Sequence, residues 1–518
     1  MLRTGEVGKV LLVVLNLAFG CSADEGSGAD SVPGLMPAID QTPVAPSEAS
    51  SATMTTGPTD AAGTAATPAV DAGVTLSMDE PMAGTSGDAV QNANAGTGGG
   101  DAMDPFDTSL VEPNPVCELP EASEFQPNRN IGGGGLQFQE SDHFRVYGSG
   151  SDVDATLDHL EAAHRCFVED WCFRSPGLSV HSDDGPYYKF NVYGVATLGG
   201  AGGVMRYDAG AGLSYLEVLS WALPDPRTTI HEFGHSLTLT EYGWVDQTRT
   251  GAWWETVANW VADTYLTSSY CEAARNAFGV SAGDTIINLD RVIGQSHMLI
   301  VSDQNYYEAW PFLTYLTNNP DGYQGLGRMV IPELFRNHPG NNETPLHVLE
   351  RLTDPVPVQT ILGRYWARMA YLDIEHPQAQ QEFFARRGGL DFPGLDAQGD
   401  QTYRIEAARR PAYGGANIIP LEASGEVGIV ITSMGSGQPD SGFTATLSIR
   451  GSDGSVRYVD LPEGVGQASV GSGEEASLVV VNTPNVLYQY DAFQTGAASP
   501  EAAGLDYQVR ITGAVPTN

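Results

Sequence analysis

Basic residues are the first scarcity in this sequence: 25 Lys and Arg stand against 64 Asp and Glu, a formal net charge of −39 over 518 residues. Nucleic-acid phosphates and anionic lipid headgroups repel so negative a chain, which excludes both as expected partners. From Ser22 to Pro115 Lys and Arg are missing altogether while fourteen acidic residues are present. Much of the charge therefore reads as a solvated, self-repelling tether rather than an acidic binding face. Histidine is absent beyond His376, and the carboxylates there are scattered, so no catalytic constellation shows in the last part of the chain. Cysteine is also sparse, at five residues.

The N-terminal apolar run, VLLVVLNLAFG from Val10 to Gly20, is too short to be a permanent membrane helix. Preceded by Arg3 and Lys9, it reads as a targeting segment over residues 1–21. Ala18-Phe19-Gly20-Cys21 resembles a bacterial lipobox, in which the cysteine is acylated. Phe19 is an unusual occupant of that motif, and secretion with cleavage nearby is the alternative. Acylation at Cys21, followed by Ser22, would place the protein at an outer membrane facing outward, with that anchor as its sole membrane contact. Residues 22–115, rich in Ala, Gly, Thr, Ser, Pro and Asp, bury too little apolar surface to offset their ordering entropy and are expected to be a disordered stalk. With Cys21 set aside, Cys117, Cys166, Cys172 and Cys271 are even in number, as disulfides of an exported protein would be. A local Cys166–Cys172 bridge, leaving Cys117 for Cys271, is one of three connectivities the sequence allows. A four-cysteine zinc site would want two tight pairs, and the spacing offers one.

The folded part starts near Cys117 and divides by composition into residues 116–398 and 399–518. In the first, FRVY at Phe144–Tyr147 and YYKFNVY at Tyr187–Tyr193 alternate like strands, Val204–Tyr207 and LSYLEVL at Leu213–Leu219 are further strand candidates, and Ala155–Asp170 has helical spacing. The glycine-rich passage from Gly194 to Gly212 lacks a phosphate-loop pattern and reads as a loop around the Val204 strand. From Thr285 to about Arg387 the period is mainly helical, with YYEAWPFLTYL counted among the helices. Short alternating runs after Gly399 predict an all-β sandwich. The expected fold is thus α+β, a mixed sheet with helices and a helical subdomain, then a β-sandwich.

The chemistry sits in between. Asp225 and Pro226 signal a helix start, and His231-Glu232-Phe233-Gly234-His235 follows as H-E-x-x-H. Histidines four apart lie one turn apart on one helix face and can share an ion. A catalytic zinc wants three protein ligands and an open position. The third must come from elsewhere, since Thr238 and Leu239 are poor zinc ligands; Glu255, on a second helix from about Ala252 to Leu266, can reach if the two helices pack antiparallel. Glu232 is then the general base on a metal-activated water. Asn259, one turn beyond Glu255, or Asp263, one turn further, could fix a ligand imidazole through its other nitrogen. Tyr306, Tyr307 and His297 are the candidate oxyanion donors, with Tyr307 placed first. Trp253, Trp254 and Trp260 read as core packing for the second helix.

This constellation resembles the gluzincin pattern of zinc metallopeptidases, with the interval from His235 to Glu255 that of the thermolysin-like enzymes. Those enzymes carry Asp where Asn259 stands here. TTIHEFGHSL, WWETVANW and YYEAWPFLTYL also look like secreted proteins of the Svx virulence-protein type, a likeness extending from about Phe144 into the C-terminal β region. The resemblance implies an exported zinc endopeptidase, monomeric, acting on protein or peptide substrates with Zn2+ as cofactor. Two other readings fit the residues: a catalytically degenerate zincin-like surface-binding or adhesion protein, and a zinc hydrolase acting on a non-peptide cell-wall or glycan amide. An intact Glu232 argues against the first, because a purely structural zinc needs no general base.

Overall fold

A computed structural model describes Cys117 and residues 124–241, 247–435, 442–496 and 499–517. The expected targeting segment with Cys21, and the acidic stretch over residues 22–115, lie outside these residues. The fold begins with β1 (Phe138–Glu140) and β2 (Phe144–Tyr147), then α1 (Ser151–His164), which continues into a π-helical turn over Arg165–Asp170. With β3 (Phe190–Val195), β4 (Gly203–Asp208) and β5 (Leu213–Leu219) they form a five-stranded mixed sheet, ordered β1-β2-β3-β5-β4. β2, β3 and β5 run parallel; β1 and β4 pair antiparallel at the two edges. Every residue of β2 is buried, as befits a strand covered on both faces.

Two helices carry the H-E-x-x-H region, α2 (Pro226–Glu241) and α3 (Gln247–Thr267). The start of α2 is where its sequence signals put it: the Asp225 carboxylate accepts a hydrogen bond from the Arg227 N–H at 3.1 Å, satisfying a donor that a bare helix end would leave unpaired. Phe233 seats α2 on the sheet, its ring 5.6 Å from Phe144 and 5.9 Å from Phe190. On the next position round, Gly234 lets α3 come close. A Cβ there would stand 2.9 Å from the Ala258 Cα and 3.1 Å from the Val261 Cβ. Trp253 and Trp260 are buried in the same core, and Trp254 packs partly buried against it.

Short helices follow: α4 (Glu272–Ala277), α5 (Leu289–Val292), α6 (Trp310–Asn318), α7 (Val330–Arg336), α8 (Pro345–Leu352), α9 (Val358–Met369) and α10 (Pro377–Arg386). Tyr306 and Tyr307 are not on a helix, contrary to the periodicity of YYEAWPFLTYL; they occupy a turn, and α6 begins only at Trp310, where Pro311 suits a helix start.

The C-terminal part is a separate antiparallel sheet of β6 (Leu395–Gly399), β7 (Thr402–Ile405), β8 (Ala416–Ser433), β9 (Phe443–Arg450), β10 (Val456–Asp460), β11 (Val465–Val470), β12 (Glu475–Asn482) and β13 (Tyr507–Pro516). Its strands follow one hydrogen-bonded path, β10-β9-β12-β8-β13-β7-β6, with β11 paired to β8 beside it. β8 is long enough to pair along one side first with β12 and then with β11. Alternation assigns its faces to different cores: Ile419, Leu478 and Val480 point into the sheet's own core, whereas Ile418, Val479 and Val481 join that of the helical part. α9 contributes to that junction, with the Ser448 hydroxyl donating to the Ala367 carbonyl at 2.7 Å.

The disulfides are Cys117–Cys172 and Cys166–Cys271, correcting the local Cys166–Cys172 pairing. Proximity in sequence misleads here because Cys166 lies in the π turn with its side chain turned into the core, where Cys271 is also fully buried. Such bridges belong to a protein folded in an oxidising, extracytosolic compartment. Among the described residues no helix is long and apolar enough to cross a membrane.

Candidate metal centre

The register of α2 against α3 fixes the site. His231 faces Asn259 and His235 faces Glu255, so the two helices run antiparallel and the glutamate arrives between the imidazoles. The Glu255 Oε2 lies 3.3 Å from the His231 Nε2 and 3.2 Å from the His235 Nε2. For bonds of 2.0–2.1 Å to a tetrahedral zinc, neighbouring ligand atoms stand about 3.3 Å apart, so the spacing is that of corners around one ion. All three atoms are buried and make no well-aligned hydrogen bond. Buried polar groups normally have partners, and a bare cluster of this kind would be costly, so the donor set fits a cation. Burial by itself would raise the Glu255 pKa, but His235 and His231 outweigh it and hold the carboxylate well below its ordinary range.

Asn259 orients His231, the first candidate ligand. Its Nδ2 donates to the Tyr307 carbonyl at 2.7 Å, which turns its Oδ1 toward the His231 Nδ1, also at 2.7 Å. An acceptor at that position requires the proton of a neutral His231 to sit on Nδ1, leaving the Nε2 lone pair facing Glu255. An aspartate could take the imidazole proton but could not donate to a carbonyl, so the asparagine ties His231 to the Tyr306–Tyr307 turn. One turn earlier on α3, the Thr256 hydroxyl donates to the Tyr306 carbonyl at 2.7 Å, pinning the same turn a second time. Asp263 has no part in this. It accepts from the Thr285 hydroxyl, the Ile286 N–H and His376 at 2.6–2.9 Å, a structural knot further along α3.

Glu232 is fully buried beside these donor atoms, and its Oε2 has no hydrogen-bond partner. Burial, reinforced by the charge of Glu255 and opposed by His231 and a Met205 backbone N–H, pushes its pKa up to about 8. It packs against the start of β4. A Cβ on Gly203 would stand 2.6 Å from the Glu232 Cγ and 3.0 Å from its Oε1, so only glycine fits without displacing the carboxylate. Neither Gly203 nor Thr256 was visible as a site residue in the sequence. One is a glycine among many in a glycine-rich run, and the other a threonine on an apolar helix; only the fold aims them.

Tyr307 stands with its ring 6.2 Å from that of His231 and 4.5 Å from Tyr306. Burial, and then the negative charge of Glu255, push its phenol pKa far above the ordinary value, which keeps it a proton donor. His297 is not brought here. It lies at the junction with the C-terminal sheet, where its backbone carbonyl accepts from the Ala412 N–H and its half-buried ring is near Arg409 and Asp391.

By sequence, the chain belongs to a family of unknown function, DUF6055, whose profile matches residues 145–518 and so takes in all of the site and the C-terminal sheet. No curated protein matches the chain.

Proposed function

We propose that this member of an uncharacterised family is an exported zinc-dependent endopeptidase of the gluzincin type, with His231, His235 and Glu255 as metal ligands and Glu232 as general base. The observation that carries the reading is the pairing of two features on adjoining helices: three buried donor atoms at ion-ligand spacing, and next to them a buried carboxylate whose Oε2 has no hydrogen-bond partner. Zinc bound there would acidify a coordinated water and polarise a carbonyl. Glu232 takes the proton of the attacking water and passes it to the departing amine, a shuttle suited to a carboxylate whose proton affinity burial has raised. The Tyr307 phenol donates to the developing oxyanion. β4 pairs only with β5 among the described strands, so its outer edge offers backbone groups to an extended peptide running past Glu232.

The test is a paired measurement on the native protein and Glu232→Gln, reading zinc content by mass spectrometry and cleavage of a peptide library. Both should hold metal at the centre, and the variant should lose about 10²- to 10⁴-fold in rate. Zinc-free Glu255→Ala would support the third ligand. Metal without cleavage of any peptide would turn the reading toward a surface-binding protein or a hydrolase of non-peptide amides. The proposed site of tethering is an acylated Cys21, checked by the mass of the N-terminal peptide from membrane fractions.

A further inference from the structure

We propose a second metal site, built from His143, His164 and Glu169 and separate from the H-E-x-x-H centre. His143 immediately precedes β2, His164 closes α1 and Glu169 lies in the π turn, so the fold converges three segments on one point. One donor atom from each lies within 4.8 Å of the others. His164 is the residue that demands explanation: its side chain is only 6% exposed, and neither ring nitrogen has a hydrogen-bond partner. A buried imidazole without partners costs free energy unless something else occupies its nitrogens. Glu169 Oε1 stands 3.6 Å from the His164 Nδ1, too far for a hydrogen bond and close to the separation of two ligands on one ion.

His143 is prepared in the way metal-binding histidines usually are. The buried Glu161 accepts from its backbone N–H at 2.8 Å and approaches its Nδ1 at 2.6 Å. That carboxylate holds the proton on Nδ1 and leaves Nε2 as the available donor. The cluster opens on a cavity of about 600 Å³, also lined by Phe125 and by Cys172 of the Cys117–Cys172 disulfide, so an ion has a route in and an accessible coordination position. Two imidazoles and a carboxylate suit a divalent transition ion, zinc foremost, over calcium or magnesium. The rings of His143 and His164 are stacked, with centroids 3.8 Å apart and planes 14° from parallel. Lone pairs in parallel planes do not converge, so the bound form has the two rings tilted toward a common point. An ion here would staple the start of β2 to the end of α1 alongside the disulfide.

The experiment counts metal in the full chain, stripped with chelator, reloaded with excess Zn2+ and desalted. Two equivalents are expected. His164→Ala and Glu169→Gln should each lose one equivalent, His235→Ala should lose the other, and the His164→Ala/His235→Ala double variant should hold none. Glu161→Gln should weaken the second site by about 10- to 100-fold. Glu169 is half exposed, so its variant decides the matter if His164→Ala fails to fold. A native chain that holds one equivalent, unchanged in Glu169→Gln and lost in His235→Ala, would overturn this site while leaving the H-E-x-x-H centre intact. One equivalent lost in Glu169→Gln but kept in His235→Ala would uphold it and remove the other.

Discussion

Gly203→Ala tests how the site is supported more sharply than removal of a ligand does. The added methyl would sit 2.6 Å from the Glu232 Cγ, whereas ordinary carbon contacts begin near about 3.4 Å, so the carboxylate must retreat by about 0.8 Å. Gly203 does not adopt a left-handed backbone, so alanine brings no conformational strain of its own. The proposed metal ligands lie on α2 and α3 and are not among the nearest contacts of the new methyl. A displacement approaching 1 Å at a proton-transfer group costs about 10²-fold in rate. That corresponds to about 2.7 kcal/mol on the barrier. The assay is kcat on a peptide substrate alongside zinc content and thermal unfolding. The expected result is a protein with native zinc that turns over about a hundredfold more slowly. A metal-replete Gly203→Ala enzyme working at the native rate would refute the placement of Glu232 as the base. Loss of zinc instead would show that β4 supports the ligands rather than the carboxylate.

Three further outcomes follow from the same geometry. Asn259→Ala should weaken zinc binding by about 10- to 100-fold by calorimetric or competition titration, because His231 loses the acceptor that fixes its tautomer. Asp263→Ala should leave zinc affinity unchanged yet lower stability by about 1–3 kcal/mol in denaturant unfolding, since the buried His376 loses its acceptor and the half-buried Thr285 and Ile286 lose theirs; a change in metal affinity there would restore Asp263 as an orienting residue. Non-reducing peptide mapping should recover Cys117–Cys172 and Cys166–Cys271. The Cys166→Ser/Cys271→Ser pair, which opens a separation of 105 residues, should lose about 4–5 kcal/mol on the chain-entropy estimate, and no change in unfolding would refute that pairing.

Local signals were the legible ones. The α2 start follows from Asp225 and Pro226, because capping is decided within a few residues. β2, β4 and β5 follow from strand-like runs of four to seven residues. Expectations failed where the deciding contact is distant. The short runs after Gly399 do not show that residues 416–433 form one 18-residue strand carrying Pro420 and Gly425 in paired positions, because β12, β11 and β13 supply its ladders. Periodicity extended a helix back over Tyr306 and Tyr307, which Thr256 and Asn259 instead hold in a turn. Cysteine spacing favoured a short bridge that the direction of the Cys166 side chain forbids.

The sequence by itself determined that the chain carries H-E-x-x-H on a capped helix, with a glutamate at reachable spacing on a second. Those properties depend on helical period and on residue type. Only the tertiary structure decided that Gly234 lets α3 close on α2, that Asn259 rather than Asp263 stands behind His231, and that Gly203 leaves room for Glu232. It alone brought His143, His164 and Glu169 together. Each of these is a contact between segments that no local pattern encodes, because a side chain's neighbours across a helix crossing or a strand edge are set by packing and not by position in the chain.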